Sequence, residues 1–123
     1  MHDAPSAKEL IEAVKAFIDT TAAPQLTGHA AFHARVASNA LAIVLREFEI
    51  RPAAEAAERE RLEALLGTSG GTAAQLNQEL CDAIRSGVLD LSTPGLLAHL
   101  KSTTIAQLSV DQPGYSGLKS AAR

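Results

Sequence analysis

The stretch His29–Glu49, HAAFHARVASNALAIVLREFE, decides the fold. A helix on the surface of a protein needs an apolar stripe that covers only roughly 100° of its circumference. On a helical wheel the apolar residues of this stretch cover well over half of the circumference; they are Phe32, Val36, Ala37, Ala40, Leu41, Ile43, Val44, Leu45 and Phe48. The pattern predicts a long central helix with neighbours on at least two sides.

Capping signals predict further helices on both sides of this stretch. Ser6–Glu9 matches a capping box, in which a hydroxyl and a carboxylate three residues later satisfy free backbone N–H groups at a helix start. Thr72–Gln75 repeats the pattern with an amide in place of the carboxylate. We therefore expect one helix to start at each of these positions, with Pro24 and Gly28 in the loop after the first helix.

Proline and glycine mark the remaining helix boundaries. Proline suits the first turn of a helix, so Pro52 predicts that the long helix stops and that a more exposed helix runs over 53–66 to Gly67. By the same rule, Thr93–Pro94 predicts the start of a last helix. The expected apolar face of that last helix consists of Leu96, Leu97, Leu100 and Leu108.

The sequence as a whole predicts one all-α domain. No stretch alternates polar and apolar residues as a half-buried strand does. Short connections between consecutive helices favour an antiparallel bundle of about five helices with the long second helix at its centre. We expect this single domain to cover residues 1–112. Residues 113–123 show no apolar period and are expected to form a flexible C-terminal tail.

Charge and cysteine content narrow the expected setting of the protein. The formal net charge is −3 at pH 7 and no basic residues cluster, so we expect no nucleic-acid partner. No apolar run approaches the roughly 18 residues that a membrane span needs. Cys81 is the only cysteine, which fits a reducing compartment. Because the N-terminal residues lack the order of a signal peptide, we expect a cytoplasmic protein.

A polar edge of the long helix is the first candidate site. Arg35, Asn39 and Arg46 share this edge, and asparagine is a poor helix former in mid-helix. If the Asn39 amide satisfies buried backbone groups, its replacement by leucine costs roughly 1–3 kcal/mol. The two guanidinium groups suit a carboxylate or a phosphate, and they suit a glutamate of a neighbouring helix equally well. The edge is thus either an internal latch or a contact with a ligand or partner.

Two histidines and a tyrosine are further candidates. His29 and His33 have the four-residue spacing of a helical zinc pair, but the glutamate that accompanies such a pair is missing. We expect ordinary histidines, no metal and no cofactor; an enzyme that uses His33 with Arg35 and Asn39 is a third alternative. Tyr115, the only tyrosine, folds back over the bundle, docks on a partner or belongs to a frayed tail.

Four strings of the sequence carry a family resemblance. They are AFHARVASNAL at Ala31–Leu41, ERERLEALLG at Glu58–Gly67, IRSG at Ile84–Gly87 and PGY at Pro113–Tyr115. Together they resemble a family of small bacterial helical proteins, and the part from Arg35 to Leu41 is the most specific. Members are encoded beside, or fused to, aminoglycoside-phosphotransferase-like kinases, often near acyl-CoA dehydrogenases. The resemblance implies a context for the chain and no chemical mechanism.

The chain itself lacks the sequence features of a kinase. It has no glycine-rich nucleotide loop after a strand, no catalytic-loop pair of Asp and Asn, and no metal-binding DFG motif. We therefore expect a non-catalytic accessory or regulatory domain that binds a kinase-like phosphotransferase in acyl-CoA metabolism. The alternative is a bundle that holds an acyl or carboxylate ligand in an apolar pocket gated by Arg35 or Arg46. Either function is compatible with a homodimer.

Overall fold

The computed structural model describes residues 4–121. These residues form five α-helices and no strand. The helices are α1 (Ala7–Phe17), α2 (Gly28–Leu66), α3 (Ala73–Arg85), α4 (Leu96–Asp111) and α5 (Ser116–Ala121). A π-helical turn, Ile18–Ala22, and a 3-10 turn, Ala23–Gln25, connect α1 to α2. The prediction of an all-α bundle of about five helices with a long second helix is confirmed.

Helix α2 is longer than its sequence predicts, because it continues through Pro52 for 39 residues. The predicted break and the separate helix over 53–66 are therefore wrong. Proline removes one backbone donor from a helix, but the residues that follow Pro52 are alanine and glutamate, which are strong helix formers. The predicted stop is confirmed, since Gly67 has a φ of +65°, a left-handed conformation that ends helices at little steric cost for glycine.

Both predicted capping boxes are present in the structure. The backbone N–H of Glu9 donates to Ser6 Oγ at 3.1 Å, and the backbone N–H of Gln75 donates to Thr72 Oγ1 at 3.1 Å. The reciprocal bonds from the cap backbone to the Glu9 and Gln75 side chains also form. Helices α1 and α3 thus start where their sequences predict.

Contacts divide the chain into two compact units, Met1–Glu49 and Ile50–Arg123. We call them the N-terminal and the C-terminal unit, and each receives part of α2. The single domain predicted over 1–112 stays a prediction. Residues 113–123 were expected to be a flexible tail, but helix α5 lies within this segment, and residues 122–123 are outside the described part of the chain.

The N-terminal unit is an antiparallel pair of helices. Lys8 Nζ lies 2.8 Å from Glu49 Oε1 at one end of the pair, and Ser38 Oγ donates to Asp19 Oδ1 toward the other end. Lysine and glutamate are both about half exposed here, so this ion pair adds little stability. Among residues 4–49, Ser38 alone is buried. The expected enclosure of the long helix by neighbours is therefore not found in this unit.

The C-terminal unit has a small leucine core. Leu62 of α2, Leu76 and Leu80 of α3 and Leu96 of α4 are each at most 4% exposed. Leu65, Leu66 and Leu89 pack against this cluster. The core draws on three helices and contains no aromatic side chain, which agrees with the low aromatic content of the sequence.

Helix α4 starts two residues later than expected and turns a different face inward. Thr93 Oγ1 accepts from the Asp90 backbone N–H at 2.9 Å as part of a turn, and Gly95 is the N-cap of α4 with a φ of 87°. Leu97 and Leu100 were expected on the buried face and are 55% and 40% exposed. The residues of α4 that are buried are Leu96, His99 and Val110.

The exposure of Asn39 contradicts its expected role as an internal latch. Asn39 is exposed, whereas its neighbour Ser38 is 6% exposed and bonded to Asp19. We expect Asn39→Leu to change the free energy of unfolding by no more than about 0.5 kcal/mol, as surface substitutions do. Ser38→Ala should cost more than Asn39→Leu, because it removes a hydrogen bond from a buried position. Urea unfolding of both variants measures this, and the reverse order would show that the Asn39 amide is buried.

Candidate functional site

Polar side chains occupy the facing stripes of α2 and α4 in the C-terminal unit. On each helix the stripe repeats at alternating steps of three and four residues, the spacing of a helix–helix seam. The α2 stripe is Arg51, Ala54, Glu58, Arg61 and Leu65, and the α4 stripe is Leu96, His99, Thr103, Ala106 and Val110. Seam positions usually carry apolar residues. Here leucine occupies one end of the seam, and charged or hydroxyl-bearing residues occupy much of the rest.

Arg61 links the two stripes through its guanidinium group. Its Nε donates to His99 Nδ1 at 3.1 Å, and its Nη2 donates to Thr103 Oγ1 at 3.2 Å. Both acceptors belong to α4 and stand one helical turn apart. Because arginine only donates, His99 Nδ1 must carry a lone pair, and the ring proton is on Nε2. The bond therefore requires a neutral His99.

The surroundings of His99 favour this neutral form. His99 is 2% exposed. Burial lowers the pKa of His99 below its ordinary value of 6.5, and the positive charge of Arg61 lowers it further. The carboxylate of Glu58 acts in the opposite direction, with a smaller effect on the pKa than burial.

The carboxylate of Glu58 is itself engaged by a third helix. Glu58 Oε1 accepts from Asn77 Nδ2 of α3 at 3.0 Å. Within residues 4–121, no ion pair joins Arg61 to a carboxylate. The Arg61 charge is thus held by two neutral acceptors, while the nearest acidic residue of its own stripe bonds an amide. This is an unusual state for a partly buried guanidinium group.

Two cavities border the Arg61 side chain. The larger has a volume of about 470 Å³ and the smaller about 360 Å³. Arg51, Glu55, Glu58, Asn77, Thr103 and Gln107 supply polar groups to the larger cavity. The smaller cavity lies beside His99, Leu65 and Pro94. The Arg61 side chain therefore borders two open volumes, and Arg51 is a second cationic side chain at the larger one.

The N-terminal unit presents an apolar face. It consists of Phe32, Val36, Ala40, Val44 and Phe48 on α2, together with Leu10, Val14 and Phe17 on α1. All three phenylalanines of the chain lie on it, with exposed fractions of 58% for Phe17, 52% for Phe32 and 48% for Phe48. We call these eight residues the N-terminal apolar face. Apolar side chains of this size usually lie inside a protein. Several of them exposed together are typical of a surface that contacts another molecule.

Most of the sequence-predicted site residues belong to the N-terminal unit. His29, His33, Arg35 and Asn39 are exposed residues of the N-terminal unit, and none of them lines either cavity. The His33 ring meets the Phe32 ring edge to face, with centroids 5.6 Å apart. Their role as ligand or partner contacts stays a prediction.

Arg46 and Tyr115 differ from these exposed residues. Arg46 is half-buried and makes an interaction within the protein. Tyr115 belongs to the C-terminal unit and is 52% exposed. Its ring lies over Gly117 of α5, where an added Cβ would come within 2.7 Å of Tyr115 Cε1. Tyr115 thus packs on the short last helix with one part of the ring open to solvent.

A family model matches residues 24–115, which is well over half of the chain. Its description is domain of unknown function, DUF6285. The chain belongs to the DUF6285 family. The matched region contains α2, α3 and α4, and therefore Arg61 with its partners His99 and Thr103 and the α2 part of the N-terminal apolar face. Helix α1 lies outside the match.

No curated protein and no solved structure matches the chain. Among residues 4–121, no helix combines the length and the hydropathy of a membrane span. The same residues contain no group of three or more His, Cys, Asp or Glu side chains placed to hold a metal ion. Cys81 is exposed.

Sequence reasoning missed Arg61 and His99, the central pair of this DUF6285 site. Both are polar, so a search for apolar stripes assigned α4 the wrong face, Leu97 and Leu100. A signal was present in the alternating three- and four-residue spacing of Leu96, His99 and Thr103. The alternating three- and four-residue spacing alone, whether the residues are polar or apolar, indicates the seam of α4. It does not indicate which residues of α2 face that seam.

The pH dependence of stability tests the neutral state of His99. The folded chain binds its proton less tightly than the unfolded chain, so unfolding takes up a proton as the pH falls below about 6.5. We expect the free energy of unfolding to decline from pH ~6.5 downward and to level off below the folded pKa. Urea unfolding between pH ~7.5 and ~5 measures the slope.

His99→Asn is the control for this slope, because the amide oxygen can replace Nδ1 as an acceptor without titrating. The variant should lose stability at every pH and should show a much flatter profile. Hydrogen bonds lower the pKa values of Asp19 and Asp90 below the ordinary aspartate value of 3.8. These two carboxyl groups therefore titrate below the pH range of the measurement. An equal decline in the variant would contradict the assignment to His99.

Proposed function

We propose that this DUF6285 protein is a non-catalytic accessory domain that binds a kinase-like phosphotransferase through its N-terminal apolar face. The observation that carries the proposal is that all three phenylalanines of the chain belong to the N-terminal unit and are exposed there. Aromatic side chains are enriched in protein interfaces and contribute many of their strongest contacts. Because the phenylalanines are exposed in this chain, the free energy of burying their side chains is released only when a partner covers them.

The geometry of the α2 part of the face suits a helical partner surface. Phe32, Val36, Ala40, Val44 and Phe48 follow one another at four-residue steps. Residues at this spacing form a ridge along a helix, and such ridges pack into the grooves of a facing helix. At a rise of about 1.5 Å per residue, the ridge is roughly 24 Å long. Each four-residue step also turns by about 40° around the helix axis, so a straight partner helix contacts part of this ridge and the two ends point in different directions.

The identity of the partner is supported by the resemblance of four strings to bacterial proteins encoded beside or fused to aminoglycoside-phosphotransferase-like kinases. We include in the proposal a bacterial, cytoplasmic setting near acyl-CoA metabolism. The lone thiol of Cys81 is compatible with a reducing compartment. The role assigned to the chain is binding or regulation, with phosphoryl transfer performed by the partner.

Co-purification with the neighbouring phosphotransferase, followed by calorimetric titration, tests the proposal. We expect a complex at micromolar concentration. The double variant Phe32→Ser/Phe48→Ser should weaken it at least about tenfold, since hot-spot side chains contribute well over 1.4 kcal/mol each. Both side chains are half exposed, so the variant should keep its helical circular-dichroism signal.

Leu91→Ser is the matched control. Leu91 is 79% exposed and lies in the connection between α3 and α4, away from the N-terminal unit in sequence. Its replacement should leave the affinity within about twofold of wild type. Equal binding by the double variant, or the absence of a complex, would contradict the proposal. So would a homodimer that Phe32→Ser/Phe48→Ser separates, because the apolar face would then be a contact between two copies.

A further inference from the structure

The C-terminal unit carries a second feature that partner binding by the N-terminal unit does not use. A polar residue in a helix–helix seam costs stability relative to a leucine or valine. Arg61, His99 and Thr103 all occupy seam positions, and their hydrogen bonds join α2 to α4. Apolar residues of similar volume would hold the two helices together at least as well. The polar set therefore calls for a reason beyond the stability of the fold.

The guanidinium group of Arg61 has spare donors and a fixed position. Arginine has five N–H groups, and the bonds to His99 and Thr103 engage two of them. Both acceptors are neutral, and among residues 4–121 no carboxylate forms an ion pair with Arg61, although Glu58 lines the same cavity. Preorganised donors of this kind bind oxyanions without the entropic cost of ordering a free side chain. Arginine also matches the planar geometry of a carboxylate and can bind a phosphate at two oxygens.

Alanine residues leave space next to this cation. Four alanines from three helices line the larger cavity: Ala54 of α2, Ala73 and Ala74 of α3, and Ala106 of α4. Their small side chains leave space that larger residues would fill. The resulting space of about 470 Å³ falls within the range of small-molecule sites, roughly 300–1,000 Å³. Leucine at any of these positions would fill part of it. Small side chains on three helices thus contribute to the open space of the cavity.

We propose that the larger cavity binds a small organic oxyanion whose carboxylate or phosphate group pairs with Arg61. Glu55 and Glu58 line the same cavity and set a second requirement. Carboxylates only accept hydrogen bonds, so they favour a ligand that carries a hydroxyl or ammonium donor beside its oxyanion. They also repel ligands with several negative charges. A monoanionic hydroxy acid meets these conditions better than a bare acid of equal length.

The site differs in place from the pocket that the sequence suggested. Arg35 and Arg46 were the expected gates, and both belong to the N-terminal unit. Arg61 and Asn77 take the corresponding roles in the C-terminal unit, as the cation and as an amide at the cavity wall. The proposed ligand is still a carboxylate or another oxyanion, but the lining of this cavity mixes polar side chains with alanines instead of being apolar.

Isothermal titration and NMR of the full chain test the proposal with three probes: 3-hydroxybutyrate, butyrate and inorganic phosphate. The hydroxy acid should bind saturably and at least about threefold more tightly than butyrate, because only it offers a donor to Glu55 or Glu58. Phosphate distinguishes the two oxyanion sources: tighter binding of phosphate assigns the site to phosphorylated ligands. The Arg61 Nε–H resonance should shift with the same dissociation constant as the calorimetric signal.

Two variants and two matched controls locate the binding. Arg61→Gln should weaken binding at least about tenfold through loss of the charge, and Arg85→Gln, which changes a guanidinium whose side chain is 77% exposed, should not. Ala106→Leu narrows the larger cavity and should also abolish saturable binding. Ala98→Leu changes the wall of the smaller cavity instead and should bind as wild type does.

Ala106→Leu keeps the test decisive if Arg61→Gln fails to fold, because it leaves the Arg61 hydrogen bonds in place. Three results would overturn the proposal. The first is the absence of saturable binding of all three probes at millimolar concentration. The second is equal binding by wild type and Ala106→Leu. The third is a loss with Ala98→Leu and none with Ala106→Leu, which would move the ligand to the smaller cavity.

Discussion

The hydrogen bond from Arg61 to His99 is the interaction on which the proposed ligand site of the C-terminal unit depends. It joins the long helix α2 to α4 at 3.1 Å, and it exists only while His99 is neutral. Thr103 completes the anchor one turn further along α4. Because two neutral groups hold the cation, its charge is available to a further partner. Alanines of three helices line the open volume beside it, so one bond connects the two helices, the protonation state of His99 and the proposed ligand site.

The two units differ in how far their large apolar side chains are buried. Four leucines make the core of the C-terminal unit, each at most 4% exposed, whereas all three phenylalanines lie half exposed on the N-terminal unit. Burial of an aromatic side chain yields more free energy than burial of most other residues. When aromatic side chains are not buried in a protein's own core, the free energy of their burial can instead stabilise a complex with a partner. This arrangement supports the proposed binding of another protein.

Local rules predicted a good part of the fold. Capping boxes at Ser6 and Thr72 and the stop at Gly67 act through neighbouring backbone groups, so sequence alone locates them. The rule for proline failed at Pro52, since one lost hydrogen bond does not outweigh a long run of good helix formers. A helical wheel shows only on which sides of α2 the apolar residues lie. It cannot report whether a neighbour covers each side, and for that reason the exposure of the phenylalanines was not foreseen.

The candidate site was harder to predict than the fold, because it consists of residues that resemble surface residues. Arg61 lies within a run of alternating charges, and His99 stands between leucines and alanines. Only the long-range pairing of α2 with α4, 38 positions apart in sequence at Arg61 and His99, brings them together. The predicted edge of Arg35 and Asn39 was chosen by local contrast with apolar neighbours, a criterion that does not detect such pairing.

The tautomer of His99 is the most direct test of this account. Long-range proton–nitrogen NMR of the imidazole ring at neutral pH distinguishes a nitrogen that carries a proton from one with a lone pair. The account predicts a proton on Nε2 and a lone pair on Nδ1, with a hydrogen-bonded Arg61 Nε–H resonance beside it. A ring protonated on Nδ1, or on both nitrogens, would contradict the account, because Arg61 would then have no acceptor on His99.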